Sequence, residues 1–301
     1  MPDIVLALGK FNALHLGHRR LVECARQLGQ PYLLHLTGMA AALGWAPRPP
    51  LLDDTSRQQL LHRWQVSELT LAFAAVRDMP AADFITMLVQ QHQVAAVVCG
   101  NNCRIGRDRH ADADWLVAHG PSLGVQVEVV PLMSLPVQSS PEVPGASLNQ
   151  HAPENIISST AIRAMLAEGN VAAAQAALGR PYRLRGVVIR GDQRGRTLGF
   201  PTANVDQVVN QLPALGVYAA WATLADGTRW QAAVNIGRLP TVDGARSVTV
   251  EAHLLAYQGD CYGQEIVLDL QHRLRPERRF DSLAQLQAQI AADVTQVASM
   301  L

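Results

Sequence analysis

A glycine-rich stretch at residues 191–204 carries side chains suited to binding a phosphate and a cation. Glycine lets a loop backbone fold closely around phosphate groups, and three glycines fall within this turn-rich stretch. Thr202 and Asn204 supply a hydroxyl and an amide oxygen, which are hard oxygen donors of the kind that Mg²⁺ prefers. The candidate phosphate-binding residues are Gly191, Gly195, Arg196 and Gly199. A glycine-rich loop by itself is weak grounds for a function, so its context decides.

Two histidines three residues apart, His15 and His18, form a second candidate site. They follow a short apolar segment, Ile4–Leu8, and stand at the start of a stretch with helical spacing of apolar residues. A helix N-terminus offers backbone N–H groups and a positive dipole end to phosphate. Gly17 between them allows close approach, and both rings can donate hydrogen bonds to a triphosphate during transfer. A pair with this spacing is also often incidental or structural; its position at the turn favours phosphate binding.

The stretch 9–18 resembles the HxGH nucleotidyltransferases. This α/β family joins a nucleoside monophosphate to a phosphate on its substrate and releases pyrophosphate. A later segment, residues 157–163, is similar to the family's ISSTxIR phosphate-binding segment. Besides the two histidines, the resemblance implies phosphate or ATP contacts at Gly9, Phe11, Gly17, Ser159, Thr160 and Arg163. The alternative for the later segment is a helix cap followed by a surface arginine.

The run GFPTAN at residues 199–204, with the glycine-rich loop before it, resembles the signature of riboflavin kinases, and the likeness extends over residues 182–297. It implies that Thr202 and Asn204 bind Mg²⁺ with ATP and that Glu251 is the catalytic base. A carboxylate on a strand suits that role, since phosphorylating the ribityl 5′-hydroxyl requires an acceptor for its proton. A solvated strand residue is the alternative for Glu251. The resemblance also implies flavin contacts at Arg275 and Glu277.

Taken together, the two halves resemble the bacterial bifunctional riboflavin kinase/FAD synthetase family. The first half departs from the family motif GxFDGxHxGH, because Asn12 stands where Asp is usual and Ala13 where Gly is usual. In the segment that aligns with the family's flavin-holding turn, Asn102 matches the polar position and is the expected flavin contact. Cys103 and Ile105 replace two aromatic residues there and offer less stacking area to a flavin ring.

The resemblance implies an enzyme that uses ATP and Mg²⁺ twice. Riboflavin is phosphorylated to FMN, and FMN is then adenylylated to FAD with release of pyrophosphate. One alternative is a riboflavin kinase whose N-terminal half is inactive or regulatory. Another is a flavin-binding protein without turnover, which would not need Thr202, Asn204 and Glu251 together.

The elements that would position these residues follow from hydrophobic periodicity. In the first half, short apolar strands alternate with helices, which predicts a parallel sheet covered on both faces, as in a Rossmann-like nucleotidyltransferase domain. From residue 182, short β-branched segments separated by turns predict an antiparallel barrel, and residues 282–300 fit a closing amphipathic helix. We therefore expect a nucleotidyltransferase-like domain at residues 1–180 and a riboflavin kinase domain at residues 181–301.

Two further segments lie between the predicted sheet and the predicted barrel. Proline, serine and glycine interrupt any period at residues 134–154, which predicts a mobile loop or flap. Residues 159–178 are rich in alanine and begin with Ser and Thr, which predicts one capped helix.

Composition favours small-molecule substrates over nucleic acid or membrane. The 301 residues, 49% of them hydrophobic, suffice for two domains, and 25 basic residues balance 25 acidic ones. The four cysteines have no paired CxxC spacing, which predicts reduced thiols rather than a zinc site or a disulfide framework. With no basic leader and no run of about 18 apolar residues, we expect a cytoplasmic protein. Its oligomeric state is left open.

Overall fold

The computed structural model describes residues 3–136, 155–191, 195, 198–240 and 246–301, with the side chains of residues 239, 240, 246 and 247 excepted. The chain divides into two compact units. The first consists of Met1–Arg48 with Asp54–Ser159, and the second of Pro49–Asp53 with Thr160–Leu301. The units differ in architecture.

The first unit is built on a five-stranded parallel sheet. Its strands lie in the order β3-β2-β1-β4-β7, so the chain runs outward from β1 in one direction and then returns to the other side of β1. This is a doubly wound arrangement with its switch point between β1 and β4. The strands are β1 (Ile4–Leu8), β2 (Gln30–Thr37), β3 (Ser67–Ala72), β4 (Val94–Gly100) and β7 (Gln126–Val130), with a small antiparallel pair, β5 (Arg104–Ile105) and β6 (Ala111–Asp112).

Helices alternate with these strands and cover the sheet. Apolar side chains of the strands, such as Leu6 and Val97, pack with Ile85 and Leu88 from one helix and Leu116 from another, and all five are buried. This continuous burial of the strands is typical of parallel sheets. The helices of the first unit are α1 (Leu16–Leu28), α2 (Met39–Ala42), α3 (Asp54–Arg63), α4 (Phe73–Val76), α5 (Ala81–His92) and α6 (Ala113–His119), and α7 (Ser159–Ala167) begins at its last residue.

The second unit is a closed antiparallel barrel. Six strands surround its core in the order β10-β11-β12-β9-β8-β13, and all neighbours are antiparallel. Alternate side chains of each strand fill the interior; Val250 and Ala252 point inward and are buried. The strands are β8 (Tyr182–Ile189), β9 (Ala203–Asp206), β10 (Gly216–Leu224), β11 (Arg229–Pro240), β12 (Arg246–Leu254) and β13 (Glu265–Pro276), with helices α8 (Val171–Leu178) and α9 (Leu283–Met300).

These two folds confirm the predicted fold class, a Rossmann-like domain followed by an antiparallel barrel. The single helix predicted over residues 159–178 is wrong, because the structure contains two helices there. Gly169 adopts a left-handed φ of 78° after α7, and the Asn170 side chain caps α8 by accepting a hydrogen bond from Ala173 N. The predicted flap at 134–154 lies outside the described residues from position 137 to its end, and Ser134 forms an isolated bridge with Ile156.

A short segment from the N-terminal part of the sequence belongs to the barrel unit. Within that unit, the Arg163 guanidinium donates to Pro49 O at 2.8 Å, and Gln211 N donates to Pro50 O at 2.9 Å. Asp53 is buried and forms an ion pair with Arg185 at 3.4 Å. None of the helices in the described ranges is long and apolar enough to cross a membrane.

Candidate active sites

The loop between β1 and α1 ends in a reciprocal pair of hydrogen bonds between His15 and His18. His15 is the N-cap of α1, where His18 N donates to its Nδ1 and His15 N donates to Nδ1 of His18, both at 3.4 Å. The two rings stack with centroids 3.6 Å apart, and both residues are buried. Because both Nδ1 atoms accept hydrogen bonds, each neutral ring carries its proton on Nε2. The cap therefore fixes the tautomer in which Nε2 is a donor.

The same loop is compact around its small and aromatic residues. A Cβ on Gly17 would lie 3.2 Å from the His15 ring, and a Cβ on Gly9 would lie 3.1 Å from the Phe11 ring. Phe11 in turn contacts the His18 ring, with centroids 4.7 Å apart. Leu14, just before the cap, is buried with a left-handed φ of 46°, a conformation that non-glycine residues rarely adopt.

A half-buried ion pair supports this loop from outside. Arg57 on α3 donates to the carbonyl oxygen of Phe11 at 2.6 Å and also pairs with Glu68 on β3. His35 Nδ1 lies 3.2 Å from Glu68 Oε1. Burial raises the pKa of Glu68, but the hydrogen bond and charge of Arg57, together with His35, outweigh burial and lower it. Glu68 thus stays ionised and holds Arg57 on the loop.

The switch point of the sheet places a second loop beside the first. Leu8 at the end of β1 pairs with Cys99 near the end of β4, so the chain segments that follow, with Lys10 and Asn102, flank one crevice. Ligands bind at this position in doubly wound sheets. Burial, followed by the positive charge of Arg109, lowers the pKa of Lys10. Because the charge of Arg109 acts on Lys10, two basic side chains lie near each other at this crevice, which suits phosphate.

The predicted phosphate-binding segment at residues 159–163 spans the boundary between the units. Ser159 is the first residue of α7 and belongs to the first unit, while Thr160 and Arg163 belong to the second. Arg163 donates to the side-chain oxygen of Gln211 at 2.7 Å, and Gln211 donates back to its carbonyl at 3.1 Å. The role of these three residues in binding phosphate stays a prediction.

In the barrel, strand register brings the predicted kinase residues side by side. Asn204 on β9 pairs with Glu251 on β12, and Glu251 pairs on its other side with Asn235 on β11. Neighbouring residues of these strands are buried in the barrel, so these three polar side chains, with Thr202 in line with Asn204, face the other way. A hydroxyl, two amides and a carboxylate thus share one outer face of the barrel.

The glycine-rich loop lies directly against this face. A Cβ on Gly191 would lie 2.4 Å from Asn204 Nδ2, and a Cβ on Gly195 would lie 3.1 Å from Thr202 Oγ1. The loop closes with hydrogen bonds from residues 198 and 200 to Gly195 O, and Gly199 adopts a left-handed φ of 86°. The loop thus lies beside both predicted metal-binding residues, whose role in binding Mg²⁺ stays a prediction. Arg196 lies outside the described residues.

Two of the predicted flavin-binding residues, Arg275 and Glu277, lie at the end of β13. Glu277 Oε1 accepts a hydrogen bond from Arg238 N at 3.3 Å and would lie 2.8 Å from a Cβ on Gly237. Arg275 is held by Asp293 on α9, with distances of 2.8 to 3.0 Å. An open pocket of about 440 Å³ follows, lined by Arg278, Arg279, Phe280, Gln285, Ala288 and Gln289.

Sequence reasoning missed several residues that contact these sites. Arg57 is far from the histidines in the sequence, and only the sheet order brings α3 to their loop. Lys10 and Arg109 are unremarkable charges until the switch point is known. His253, two residues after Glu251, has Nδ1 2.7 Å from the Pro201 carbonyl oxygen, so that nitrogen donates. The alternation of strand β12 was the one feature that could have indicated His253.

Comparison with known proteins decides between the alternatives. A family model described as riboflavin kinase matches residues 178–301, and one described as FAD synthetase matches residues 1–140. The bifunctional riboflavin kinase/FMN adenylyltransferase of Pseudomonas fluorescens is 32% identical, covering 96% of this chain and 90% of its own length. The chain belongs to the bifunctional riboflavin kinase/FMN adenylyltransferase family. The protein of the same description from Escherichia coli K12 is also 32% identical, again with 96% and 90% coverage.

A solved structure matches the whole fold. It is described as a macrolide-efflux protein from Streptococcus pneumoniae and is 25% identical, with a TM-score of 0.83 over 99% of this chain and 95% of its own. Membership of the bifunctional family confirms the family predicted from the sequence. Since both family models match and the relatives are bifunctional, the comparisons favour two activities over a kinase with an inactive N-terminal half.

Proposed function

We propose that the chain makes FAD from riboflavin in two ATP-dependent steps. Residues 181–301 phosphorylate riboflavin to FMN, and residues 1–180 transfer AMP from ATP to FMN with release of pyrophosphate. The observation that carries the first step is the shared outer face of the barrel, where the glycine-rich loop, Thr202, Asn204 and Glu251 adjoin. Small molecules are the proposed substrates.

In the kinase step, Glu251 accepts the proton of the ribityl 5′-hydroxyl. The hydroxyl oxygen then attacks the γ-phosphorus of ATP, and ADP leaves. Asn204, the strand neighbour of Glu251, places the phosphates close to the base. The glycine-rich loop, with Gly191, Gly195, Arg196 and Gly199, is proposed to surround those phosphates.

The donor set of this face fits Mg²⁺ arriving with ATP. Thr202 Oγ1 and the Asn204 amide oxygen are hard neutral donors, and the glycines beside them keep both side chains uncovered by a Cβ. In the described residues no group of three His, Cys, Asp or Glu side chains could hold a metal, so a resident metal with an all-protein ligand set is not proposed. Bound there, Mg²⁺ would neutralise charge on the transferred phosphoryl group.

The flavin ring is proposed to lie toward the end of β13. Glu277 and Arg275 border that side, and the open pocket beside Phe280 offers an aromatic wall. Its volume of about 440 Å³ falls within the usual size of ligand sites. Arg275, tied to Asp293, would hold this wall in place.

In the transferase step, a phosphate oxygen of FMN attacks the α-phosphorus of ATP and pyrophosphate leaves. Nε2 of His15 and His18 would donate to the phosphates, since the cap fixes both protons there. Gly9, Phe11 and Gly17 shape that loop, Asn102 contacts the flavin, and Ser159, Thr160 and Arg163 bind the departing pyrophosphate. We also propose a cytoplasmic location, supported by four free cysteines, which are typical of a reducing compartment.

The test follows flavins by chromatography in two separate incubations. Purified protein with riboflavin, ATP and Mg²⁺ should give FMN and then FAD; protein supplied with FMN, ATP and Mg²⁺ should give FAD directly. FAD from FMN but no FMN from riboflavin would refute the kinase assignment. FMN that never proceeds to FAD would refute the transferase assignment, and omission of Mg²⁺ should stop both reactions.

A further inference from the structure

Two cysteines of the first unit meet at the end of β4. Cys99 lies one residue before the strand ends and is fully buried. A turn then returns the chain, with Cys103 N donating to Gly100 O at 2.9 Å. The Cys103 side chain packs against the same apolar cluster that contains Cys99, and the two thiols form a hydrogen bond. The pair is thus brought together by the fold.

The two thiols differ in how easily they ionise. The hydrogen bond from Cys99 lowers the pKa of Cys103; burial opposes this, and the positive charge of Arg109 adds to the lowering. For Cys99 the hydrogen bond to Cys103, then burial, raises the pKa. Cys103 is also the more exposed of the two. A partly exposed cysteine whose pKa is lowered, beside a buried cysteine whose pKa is raised, is the arrangement of an attacking and a resolving cysteine.

The turn that joins the two cysteines contains Asn102, the proposed flavin contact. Asn102 Oδ1 lies 3.1 Å from the position of a Cβ on Gly100, so the side chain folds back over the turn. A disulfide fixes the two Cβ atoms about 3.8 Å apart and allows few dihedral angles. A disulfide across the ends of so short a turn therefore restricts the backbone that carries Asn102.

We propose that Cys99 and Cys103 form a reversible disulfide under oxidation by low-molecular-weight disulfides, and that this disulfide slows FAD synthesis without affecting FMN synthesis. The Cys103 thiolate attacks one sulfur of the oxidant and expels a thiolate, giving a mixed disulfide. Cys99 then attacks the Cys103 sulfur and passes its proton to the second thiolate as that thiolate is expelled. The protein dithiol is oxidised by two electrons, and one oxidant disulfide is reduced to two thiols.

The effect on FAD synthesis rests on the proposed function, whereas formation of the disulfide does not. The full chain is incubated with oxidised glutathione, digested without reduction and examined by mass spectrometry. A peptide that links Cys99 to Cys103 and disappears on treatment with dithiothreitol is expected. Stable glutathione on Cys103 with no link to Cys99 would overturn the assignment of the pair, whatever the enzyme activities are.

The functional consequence is measured as the ratio of rates before and after oxidation. FAD formation from FMN should fall and recover with dithiothreitol, while FMN formation from riboflavin stays constant. Cys99→Ser should abolish this response, and Cys261→Ser, which removes a thiol of the second unit with a pKa raised by burial and Asp260, should retain it. If the oxidised protein carries the disulfide and still makes FAD as fast as the protein with free thiols does, the proposed slowing is overturned.

Discussion

Gly191→Ala should damage the kinase reaction more than it damages the fold. Gly191 has no left-handed φ, so alanine suits its backbone. The added Cβ would lie 2.4 Å from Asn204 Nδ2, 2.5 Å from Cγ and 2.7 Å from Oδ1. Non-bonded atoms prefer separations of about 3.5 Å or more. The amide of Asn204 therefore has to move by about 1 Å, measured against that separation.

The magnitude follows from the proposed task of Asn204. Misplacing a positioning group by about 1 Å can cost about 100-fold in rate, which corresponds to about 2.7 kcal/mol of activation free energy. The free energy of unfolding should fall by about 1 kcal/mol, at the low end for overpacking, because the atom that yields is the end of a side chain. Function should therefore change more than stability does.

Two assays with one control separate these effects. The kcat/KM for riboflavin phosphorylation is compared with the free energy of unfolding from urea titration. Gly227→Ala is the matched control, since Gly227 lies in the turn between β10 and β11 with a φ of 83° and nothing within 4 Å. It should cost about 1–2 kcal/mol of stability through backbone strain and leave kcat/KM unchanged.

A double-mutant cycle identifies the atom responsible. If Gly191→Ala acts by displacing Asn204, then Asn204→Ala should lower kcat/KM by itself, and the double variant should be no worse than the more damaging single variant. Additive losses would mean that Gly191 acts through another group. An unchanged kcat/KM in folded Gly191→Ala would refute the assignment of Asn204 to the active face.

Three further predictions concern the other site residues. Glu251→Gln should lower FMN formation by about 100-fold or more, as expected for losing a general base, with an unchanged urea midpoint; unaltered turnover would remove it from the mechanism. Replacing both His15 and His18 by Ala should stop FAD formation and spare FMN formation, while His15→Ser should keep the cap, and hence the stability, but not the activity. Glu68→Gln should lower the free energy of unfolding by about 1–3 kcal/mol at pH 7, because it removes a charged partner of Arg57. The pKa of Glu68 is lowered in the folded chain, so its contribution is present above the ordinary value of 4.5 and disappears as pH falls through the lowered pKa; a difference that persists in acid would contradict this.

Sequence patterns predicted single strands and helices better than they predicted which strands lie side by side. The first strand, the first helix and the histidine pair are local features, so periodicity and spacing were enough to place them. Strand β9 was not predicted, because its four residues follow a proline and resemble a loop until they pair with β8 and β12. The adjacency of Asn204 and Glu251 depends on that pairing. The distance between Asn204 and Glu251 along the sequence does not indicate that they are adjacent.

The side chains that hold the site loops in position were the hardest part of the sites to predict. Arg57 reaches the carbonyl of Phe11 only because β3 and α3 lie on the same side of β1. Strand β3 was itself not predicted, although its sequence alternates between polar and apolar residues. Without β3, Glu68 has no place and Arg57 looks like an ordinary surface charge. The ion pair between Arg57 and Glu68, which holds the loop, therefore depends on the tertiary structure.

The glycines of the motifs perform two distinct tasks, and the sequence does not distinguish them. Gly17 and Gly191 have no left-handed φ, yet a Cβ on either would contact a proposed site residue, at 3.2 Å and 2.4 Å respectively. Gly199 has open space around it and a φ of 86°, so it serves the turn. Alanine at the first two should therefore act on the chemistry, whereas alanine at Gly199 should strain the loop backbone. In both sites, the absence of a glycine side chain leaves room for a neighbouring polar group, the His15 ring beside Gly17 and the Asn204 amide beside Gly191.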